Sequence, residues 1–283
     1  MILKQLLNSM KPAFLIKTIR RWRDPKKLHS IPRVKFNTQA LRHIRAVDLK
    51  ELFDSHEVEI MWNDSREGID VFAIPDGTGG VNPGDRKAIF YLISIFQPSS
   101  VLEIGTLIGA STIHIASALF ESQIKIGGAA NLISVDIMDV NDHVSKPWLQ
   151  YGMKHPPDEM VNLLGFASFV EFFNDSSLNY FTRCERKFNL IFLDGDHSEQ
   201  AVYQEIPAAL NHLQPNGVVI LHDYFPDQKP LWSNGSVKPG PYLATERLKN
   251  EGANFVVLPL NELPWPTKLH SNITSLALLL RND

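Results

Sequence analysis

The sequence has few of the features that mark secreted, membrane-spanning or nucleic-acid-binding proteins. Its 283 residues include one cysteine, Cys184, so an internal disulfide is excluded and a reducing compartment is favoured. No apolar run approaches the roughly 20 residues of a membrane span, and the apolar cluster at 13–16 in the basic N-terminus is too short for a signal peptide. The net charge is −3, so no overall field attracts nucleic acid. We therefore expect a cytoplasmic protein without a nucleic-acid partner.

Two common phosphate-binding motifs are also missing from the most informative stretch, residues 100–120. Its sequence SVLEIGTLIGASTIHIASALF predicts a short strand, a tight turn at Gly105 and Gly109, and a helix opened by Ser111. The glycine spacing is neither the Gly-x-Gly-x-x-Gly of dinucleotide sites nor the Gly-Lys-Ser/Thr of a P-loop, which disfavours a nicotinamide dehydrogenase. The helix start can face an anionic ligand group, although a plain strand–helix turn is the alternative.

Strand-like and helical segments alternate from residue 83 to residue 280. With 44% apolar and 21% charged residues, the chain can bury a sizeable core. The pattern predicts a doubly wound α/β domain with a mainly parallel sheet. Predicted strands lie at 101–104, 132–136, 169–173, 189–193, 218–221, 255–258 and 273–280, and predicted helices at 85–96, 111–120, 199–213 and 242–250.

The first 80 residues form a separate region. Residues 1–30 carry eight Lys or Arg and one Asp, with leucines at helical spacing and Pro12 as an interruption. They predict a basic helical arm that packs on protein, with a membrane-surface helix as the alternative. A second helix is predicted at 38–53. Residues 54–82 are rich in glycine towards their end and predict a loop that covers a site.

Acidic residues follow three predicted strands. In doubly wound sheets, ligands bind beyond the carboxyl ends of the strands. Asp136 follows the second strand and can accept the hydroxyl hydrogens of a ribose, unless it serves as a helix cap or turn acid. Asp194 and Asp223 follow the fourth and fifth strands, where adjacent carboxylates can share a hard cation. The alternative for this pair is a helix cap and a salt bridge. His197 and His222 lie beside these acids and can act as base, ligand or structural residue.

The order of these motifs resembles a known enzyme class. Residues 82–87, NPGDRK, followed by SSVLEIGTLIGAST, are similar to the entry of the catechol O-methyltransferase group of S-adenosylmethionine-dependent enzymes. FNLIFLDGDHSEQAVYQEI and PNGVVILHDY resemble sugar and antibiotic O-methyltransferases of the macrocin type. The resemblance covers residues 82–280. It implies a class I, Rossmann-like methyltransferase domain at 81–283, with seven strands of which the last is antiparallel, preceded by a helical arm and lid-like loop at 1–80.

The resemblance also implies residue roles. The methionine end of S-adenosylmethionine would contact Asn82, Glu103, Gly105, Gly109 and Ser111. Further cofactor contacts are implied for Asp136 at the ribose, for Asp175 and Ser176 at the adenine, and for Asp194.

A divalent cation, with Mg²⁺ favoured, would be held by Asp194, His222 and Asp223. Asp196 matches the base of the sugar-modifying relatives, and His197 falls where catechol enzymes carry a basic Lys. His222 replaces an acid and Tyr224 replaces an Asn of the patterns, and an imidazole is a softer ligand than a carboxylate.

The sequence is compatible with three functions. The favoured one is metal-assisted O-methylation of a vicinal diol or catechol on a sugar or secondary metabolite. A non-haem iron hydroxylase on the same scaffold would use His222, Asp194 and Asp223. A binding protein without catalysis would sense S-adenosylmethionine or bind membranes through the arm.

The basic arm gives the first testable prediction. One amphipathic helix interrupted at Pro12 offers little apolar area, and stable membrane attachment usually takes two signals. Deleting residues 1–30 should therefore lower the thermal unfolding midpoint, or break a homo-oligomer detected by sedimentation, without affecting membrane association. The prediction is wrong if the intact protein floats with anionic vesicles at physiological salt and the truncated form is stable but does not float. The arm would then be a membrane anchor.

Overall fold

The computed structural model describes residues 49, 51–78 and 80–282, and these contain one seven-stranded sheet. The strand order is β3-β2-β1-β4-β5-β7-β6, and every neighbouring pair is parallel except the two pairs formed by β7. The strands are β1 Ser100–Ile104, β2 Asn131–Asp136, β3 Val170–Asn174, β4 Phe188–Leu193, β5 Leu213–Leu221, β6 Phe255–Pro259 and β7 Ala277–Arg281. The predicted doubly wound sheet with an antiparallel last strand is confirmed.

Helices cover both faces of the sheet. They are α1 His56–Ile69, α2 Pro83–Phe96, α3 Ala110–Ser122, α4 Pro157–Leu163, α5 Ser177–Arg183, α6 Glu199–His212 and α7 Gly240–Asn250. Alternate residues of β1 point to opposite faces: Val101 belongs to the core under α1 to α4, and Leu102 to the core under α5 to α7. Both side chains are fully buried, so the strand is apolar on both sides, as expected for a covered parallel sheet.

The expectation of a loop over residues 54–82 is wrong for its first part. Residues 56–69 form α1, and Asp70–Phe72 form a 3₁₀ turn. The Ser55 side chain accepts a hydrogen bond from the backbone N–H of Val58 and so caps the helix. Val58, Trp62 and Ile69 lie buried at helical spacing. Many charged residues separate these few apolar ones, which hides the periodicity in the sequence.

Other predicted segments differ in their bounds or lie outside the described residues. The fifth strand begins at Leu213 instead of 218, and the last begins at Ala277 instead of 273. The predicted arm at 1–30 and most of the predicted helix at 38–53 lie outside the described residues. The part of the range 38–53 that is described includes the 3₁₀ turn Glu51–Phe53. The division at residue 80 stays a prediction. No helix of the described residues is long and apolar enough to cross a membrane.

The strand order reverses between β1 and β4, where the chain has run outward to β3 and then returned. Such a switch point leaves a crevice at the carboxyl ends of the two strands. Gly105 ends β1 there with a φ of 100°, and a Cβ on it would lie 2.2 Å from the backbone oxygen of Asp194, which follows β4. A side chain at position 105 would therefore push apart the two strands that open the crevice.

This close approach predicts a large cost for Gly105→Ala. Gly252 also has positive φ, 92°, but a Cβ there would meet no atom within 4 Å. Gly252→Ala should lower the free energy of unfolding by about 1–2 kcal/mol, the cost of left-handed backbone. Gly105→Ala should add the overpacking cost of roughly 1–3 kcal/mol or more. Urea unfolding of both variants measures the difference, and equal losses would contradict the backbone contact.

Candidate active site

A cleft of about 560 Å³ lies at the carboxyl ends of β1, β2 and β4, and we call it the Asp136 cleft. The structure brings seven of the sequence-predicted site residues into its walls: Gly105, Asp136, Asp175, Ser176, Asp194, Asp196 and His197. Ile137, Met138 and Leu178 add apolar wall that sequence reasoning missed. A long apolar and polar crevice of this kind suits a ligand that carries both a flat ring and hydroxyl groups.

Asp136 is held rigidly at the edge of this cleft. Its Oδ2 accepts a hydrogen bond from the backbone N–H of Leu107 at 2.8 Å, and its Oδ1 accepts one from Met138 at 2.9 Å. The predicted turn role is therefore present. Each carboxylate oxygen has a further lone pair, so the same side chain can also accept two ligand hydroxyls.

Glu103 lies beneath the glycine turn and is fully buried. Its carboxylate accepts hydrogen bonds from the hydroxyls of Ser111 and Thr112 at 2.5 Å each and from that of Ser134 at 2.6 Å. Burial raises the pKa of Glu103 to about 7, even though these hydroxyls favour the ionised form. Glu103 and Ser111 thus fix the start of α3, and Gly109, with a φ of 73°, begins that helix against Pro157.

Two other predicted cofactor residues cap helices, and a third forms an ion pair. The Ser176 hydroxyl accepts a hydrogen bond from the N–H of Asn179 and caps α5, and Asp175 accepts one from the Arg183 guanidinium. Asn82 caps α2, since its Oδ1 accepts a hydrogen bond from the N–H of Asp85 at 3.1 Å. Asp175 and Ser176 still line the Asp136 cleft, whereas Asn82 lines a second cavity.

Asp194, His197 and Asp223 form a polar cluster at the ends of β4 and β5. One ligand atom of each lies within 4.8 Å of the others, a spacing that can hold a metal ion. His197 Nε2 is 3.6 Å from Asp194 Oδ1 and 3.3 Å from Asp223 Oδ2. Burial lowers the pKa of His197, although both acids oppose this, so the neutral ring can bind a cation or accept a proton.

His222 lies beside both of the acids with which it is predicted to bind a metal. Its Nδ1 lies 2.6 Å from Asp194 Oδ1, and its buried Nε2 lies 3.5 Å from Asp85 Oδ2. Burial alone would lower the pKa of His222, but Asp194 and Asp223 raise it well above its ordinary value. The ring therefore carries protons on both nitrogens, and the cluster that can hold a metal contains His197 in place of His222.

Lys238 is a member of the site that sequence reasoning missed. Its Nζ donates to Asp223 Oδ2, from a loop that the sequence shows only as rich in proline and glycine. Burial would raise the pKa of Asp223, but the charges of His222 and Lys238 hold it well below its usual range. Nothing in the sequence distinguishes Lys238 from its neighbour Lys229, which pairs with Asp227.

A second cavity of about 720 Å³, the Asp223 cavity, adjoins the cluster from the other side. Asp223 and His222 line this cavity, while Asp194 and His197 line the Asp136 cleft. Lys238 and Lys268 stand in its wall, and the Lys268 ammonium lies 3.6 Å from the centre of the Trp232 ring. Trp232 packs against Lys268 and does not itself line the cavity. The cluster separates two cavities, so it can act on groups brought together from both.

Part of the chain is similar to a known protein family. Residues 102–224 match a protein-family model described as a methyltransferase domain. This range begins within β1, ends after β5 and contains the cluster. No curated protein sequence matches the chain.

Solved structures of methyltransferases share the fold at low sequence identity. The O-methyltransferase TomG from Streptomyces achromogenes, involved in tomaymycin synthesis and solved with S-adenosylmethionine, is 17% identical, with a TM-score of 0.52 over 83% of this chain and 99% of that one. The Podospora anserina methyltransferase PaMTH1, bound to S-adenosylhomocysteine, is 16% identical, with a TM-score of 0.52 over 89% and 100%. A Bacillus cereus O-methyltransferase bound to S-adenosylhomocysteine is 17% identical, with a TM-score of 0.50 over 85% and 94%.

The family match and the shared fold concern the same part of the chain. The strand-end cleft and the glycine turn lie within or beside the matched residues. Residues 102–224 match a methyltransferase domain, and the chain shares the class I, Rossmann-like fold with methyltransferases solved with S-adenosylmethionine or S-adenosylhomocysteine.

Proposed function

We propose that the protein transfers the methyl group of S-adenosylmethionine to a hydroxyl oxygen of a small molecule. The acceptor carries adjacent hydroxyls, and a divalent cation assists the transfer. The observation that carries this proposal is the position of the Asp194–His197–Asp223 cluster between the Asp136 cleft and the Asp223 cavity. With cofactor in the cleft and acceptor in the cavity, the reacting atoms meet at the cluster. Holding both reactants in line contributes roughly 7–11 kcal/mol of barrier lowering in well-oriented reactions.

The residues of the cluster fit a divalent cation. Asp194 and Asp223 offer the carboxylate oxygens that a hard cation prefers, and the Lys238 ammonium on Asp223 marks a place where positive charge is favourable. Mg²⁺ is the favoured ion on these oxygen donors, and the His197 imidazole then stays free beside it. Bound there, the ion would orient two adjacent substrate oxygens and lower the pKa of one of them.

The chain's own groups would then move the proton. His197 is neutral, lies in the cluster and faces the Asp136 cleft, so its ring can accept the acceptor's hydroxyl proton. Asp196, the other proposed base, is exposed in the same cleft, and its Oδ1 already accepts the N–H of Ser198 at 2.8 Å. We assign His197 or Asp196 as the base, and Asp194 and Asp223 as the metal ligands. His222 supports both acids through its charge.

The cofactor roles follow from the walls of the Asp136 cleft. Asp136 would accept the ribose hydroxyls, Asp175 and Ser176 would border the adenine, and the turn at Gly105 would face the methionine end. Glu103, Gly109 and Ser111 would hold that turn from beneath, and Asn82 would hold the start of α2.

The competing iron hydroxylase has less support. An iron hydroxylase would need a free nitrogen on His222, whereas both of its nitrogens face carboxylates. We favour a sugar or a secondary metabolite as the acceptor. We also propose that the protein is cytoplasmic and forms homo-oligomers through the arm at residues 1–30.

The assignment of the Asp136 cleft predicts its cofactor. S-adenosylmethionine should bind and NAD should not. Asp136→Ala should weaken binding by roughly 1–3 kcal/mol, the range for losing a charged hydrogen-bond partner. Isothermal titration calorimetry measures both, with Asp139→Ala as control, because Asp139 forms a similar turn but does not line the cleft. Binding of NAD in place of S-adenosylmethionine, or equal effects of both substitutions, would contradict the assignment.

The cluster predicts a requirement for metal. EDTA should abolish methyl transfer, and Asp223→Asn should lower kcat at least about 100-fold, in line with general acid–base and electrostatic effects, without changing the affinity for S-adenosylmethionine. Lys238→Gln should tighten Mg²⁺ or Mn²⁺ binding, since it frees an oxygen of Asp223. The measurements are radioactive methyl transfer to catechol and metal titration by calorimetry. Full turnover by protein shown to be metal-free would falsify the metal role.

A further inference from the structure

A third cavity of about 470 Å³, the Arg86 pocket, lies next to the Asp223 cavity. Asp76, Pro83 and Pro266 stand in the walls of both cavities. The remaining walls of the Arg86 pocket are largely aromatic and basic, and they include Trp62, Arg66, Arg86, Lys87, His114 and Trp265. The proposed cofactor and metal roles use none of these six residues.

Arg86 is a buried cation without a close counter-ion. The residue is 6% exposed, and its Nε donates to the backbone oxygen of Val81 at 2.6 Å. Among the described residues, the acid nearest to its guanidinium is Asp76, at 3.9 Å from Nη2, and the Asp76 side chain is 70% exposed. The described residues accept no hydrogen bond from the Nη groups of Arg86. Burial lowers the pKa of Arg86, with partial compensation by Asp76.

The other cations of the pocket are paired. Arg66 Nη2 lies 2.9 Å from Asp70 Oδ2, and Lys87 Nζ lies 2.7 Å from Glu59 Oε2. Arg86 also stands in the first turn of α2, where the positive end of the helix dipole disfavours a cation. A buried charge with only a distant, exposed counter-ion is costly, so an anion bound to the Nη groups would offset both effects. A guanidinium binds carboxylate or phosphate oxygens in a bidentate manner.

The aromatic walls favour a flat organic group over a free inorganic ion. His114 stacks on Trp62 with ring centres 5.5 Å apart, and its Nδ1 donates to the backbone oxygen of Ala110 at 2.6 Å. Burial lowers the pKa of His114 to about 3, so the ring is neutral and its Nε2 can only accept hydrogen bonds. Trp265 also lines the pocket and precedes the shared Pro266 in the sequence.

We propose that the Arg86 pocket binds a carboxylate or phosphate group of the methyl acceptor, and that Arg86 selects acidic acceptors over neutral ones. The inference rests on the proposed function, because it places the acceptor's hydroxyls in the adjoining Asp223 cavity. An acceptor that spans both cavities would be anchored by its charge at one end and would present its hydroxyls to the cluster at the other.

Direct binding tests the pocket without turnover. Benzoate, phenyl phosphate and neutral benzamide are titrated by calorimetry into the full chain saturated with S-adenosylhomocysteine. We expect at least one of the two anions to bind at least tenfold more tightly than benzamide, and the stronger anion identifies the group. Arg86→Gln should weaken the binding of that anion at least tenfold. The control Arg186→Gln, at an exposed arginine that pairs with Glu171 and does not line the pocket, should change it less than twofold. Asp76→Asn removes a competing acid and should tighten binding at least twofold.

Turnover tests the link to the acceptor. Catechols with and without a carboxylate on a short flexible chain are compared as substrates. The carboxylate should raise kcat/KM at least tenfold in the wild type, and Arg86→Gln should remove this advantage while leaving S-adenosylhomocysteine affinity unchanged. If the binding results are as expected but the carboxylate gives no advantage in turnover, the link to the acceptor is overturned.

Two results overturn the pocket itself. One is that neither anion binds better than benzamide, and the other is that anion affinity is unchanged in both Arg86→Gln and Asp76→Asn. If Arg86→Gln fails to fold, the exposed Asp76→Asn substitution decides the point by its opposite sign. A protein that binds the anions as expected but methylates no catechol would refute the proposed function and leave the anion site standing.

Discussion

Three buried carboxylates surround one imidazole at the carboxyl ends of β4 and β5. Asp194, Asp223 and Asp85 all lie within 3.6 Å of a nitrogen of His222. Two like charges 4 Å apart repel by roughly 4 kcal/mol at an effective dielectric constant of 20. The fold can keep these acids together only with compensating positive charge, which the His222 imidazolium and the Lys238 ammonium supply. A divalent cation would add to this compensation where Lys238 now contacts Asp223.

The sheet order explains why the acids meet there. Parallel strands end at the same edge, and β4 lies between β1 and β5. The register pairs Leu193 with Leu221, so the residues after each strand are neighbours. The same edge opens the Asp136 cleft at the switch point, which puts the cofactor cleft and the charged cluster side by side. The strand order therefore brings the polar residues of the site together, and the acidic and basic side chains at these positions balance one another's charge.

This part of the site could be predicted from the sequence because it depends on local patterns. Apolar runs that end in Asp136, Asp194 and Asp223 identify both the strands and the acids. The charge balance could not be predicted in the same way. His197 and His222 flank the same acids in sequence, and only the side-chain geometry assigns one to the open cluster and the other to the buried centre. Lys238 arrives from an irregular loop, which has no periodicity to read. The sequence does not predict helix α1, because the buried face of this helix is narrow and gives only a weak apolar pattern.

The first turn of α2 connects the charged cluster to the Arg86 pocket. Consecutive helical residues point about 100° apart, so Asp85 and Arg86 face different surroundings from adjacent positions. Asp85 accepts hydrogen bonds from Thr274 at 2.5 Å and Asn82 at 2.6 Å, and it faces His222, while Arg86 faces the pocket. Gly84 allows this turn to lie close to the backbone of Pro266, since a Cβ at position 84 would lie 2.4 Å from the Pro266 oxygen. One rigid turn thus fixes the distance between the group that would hold an acceptor's charge and the cluster that would act on its hydroxyls, and this distance would set the length of acceptor that the enzyme can use.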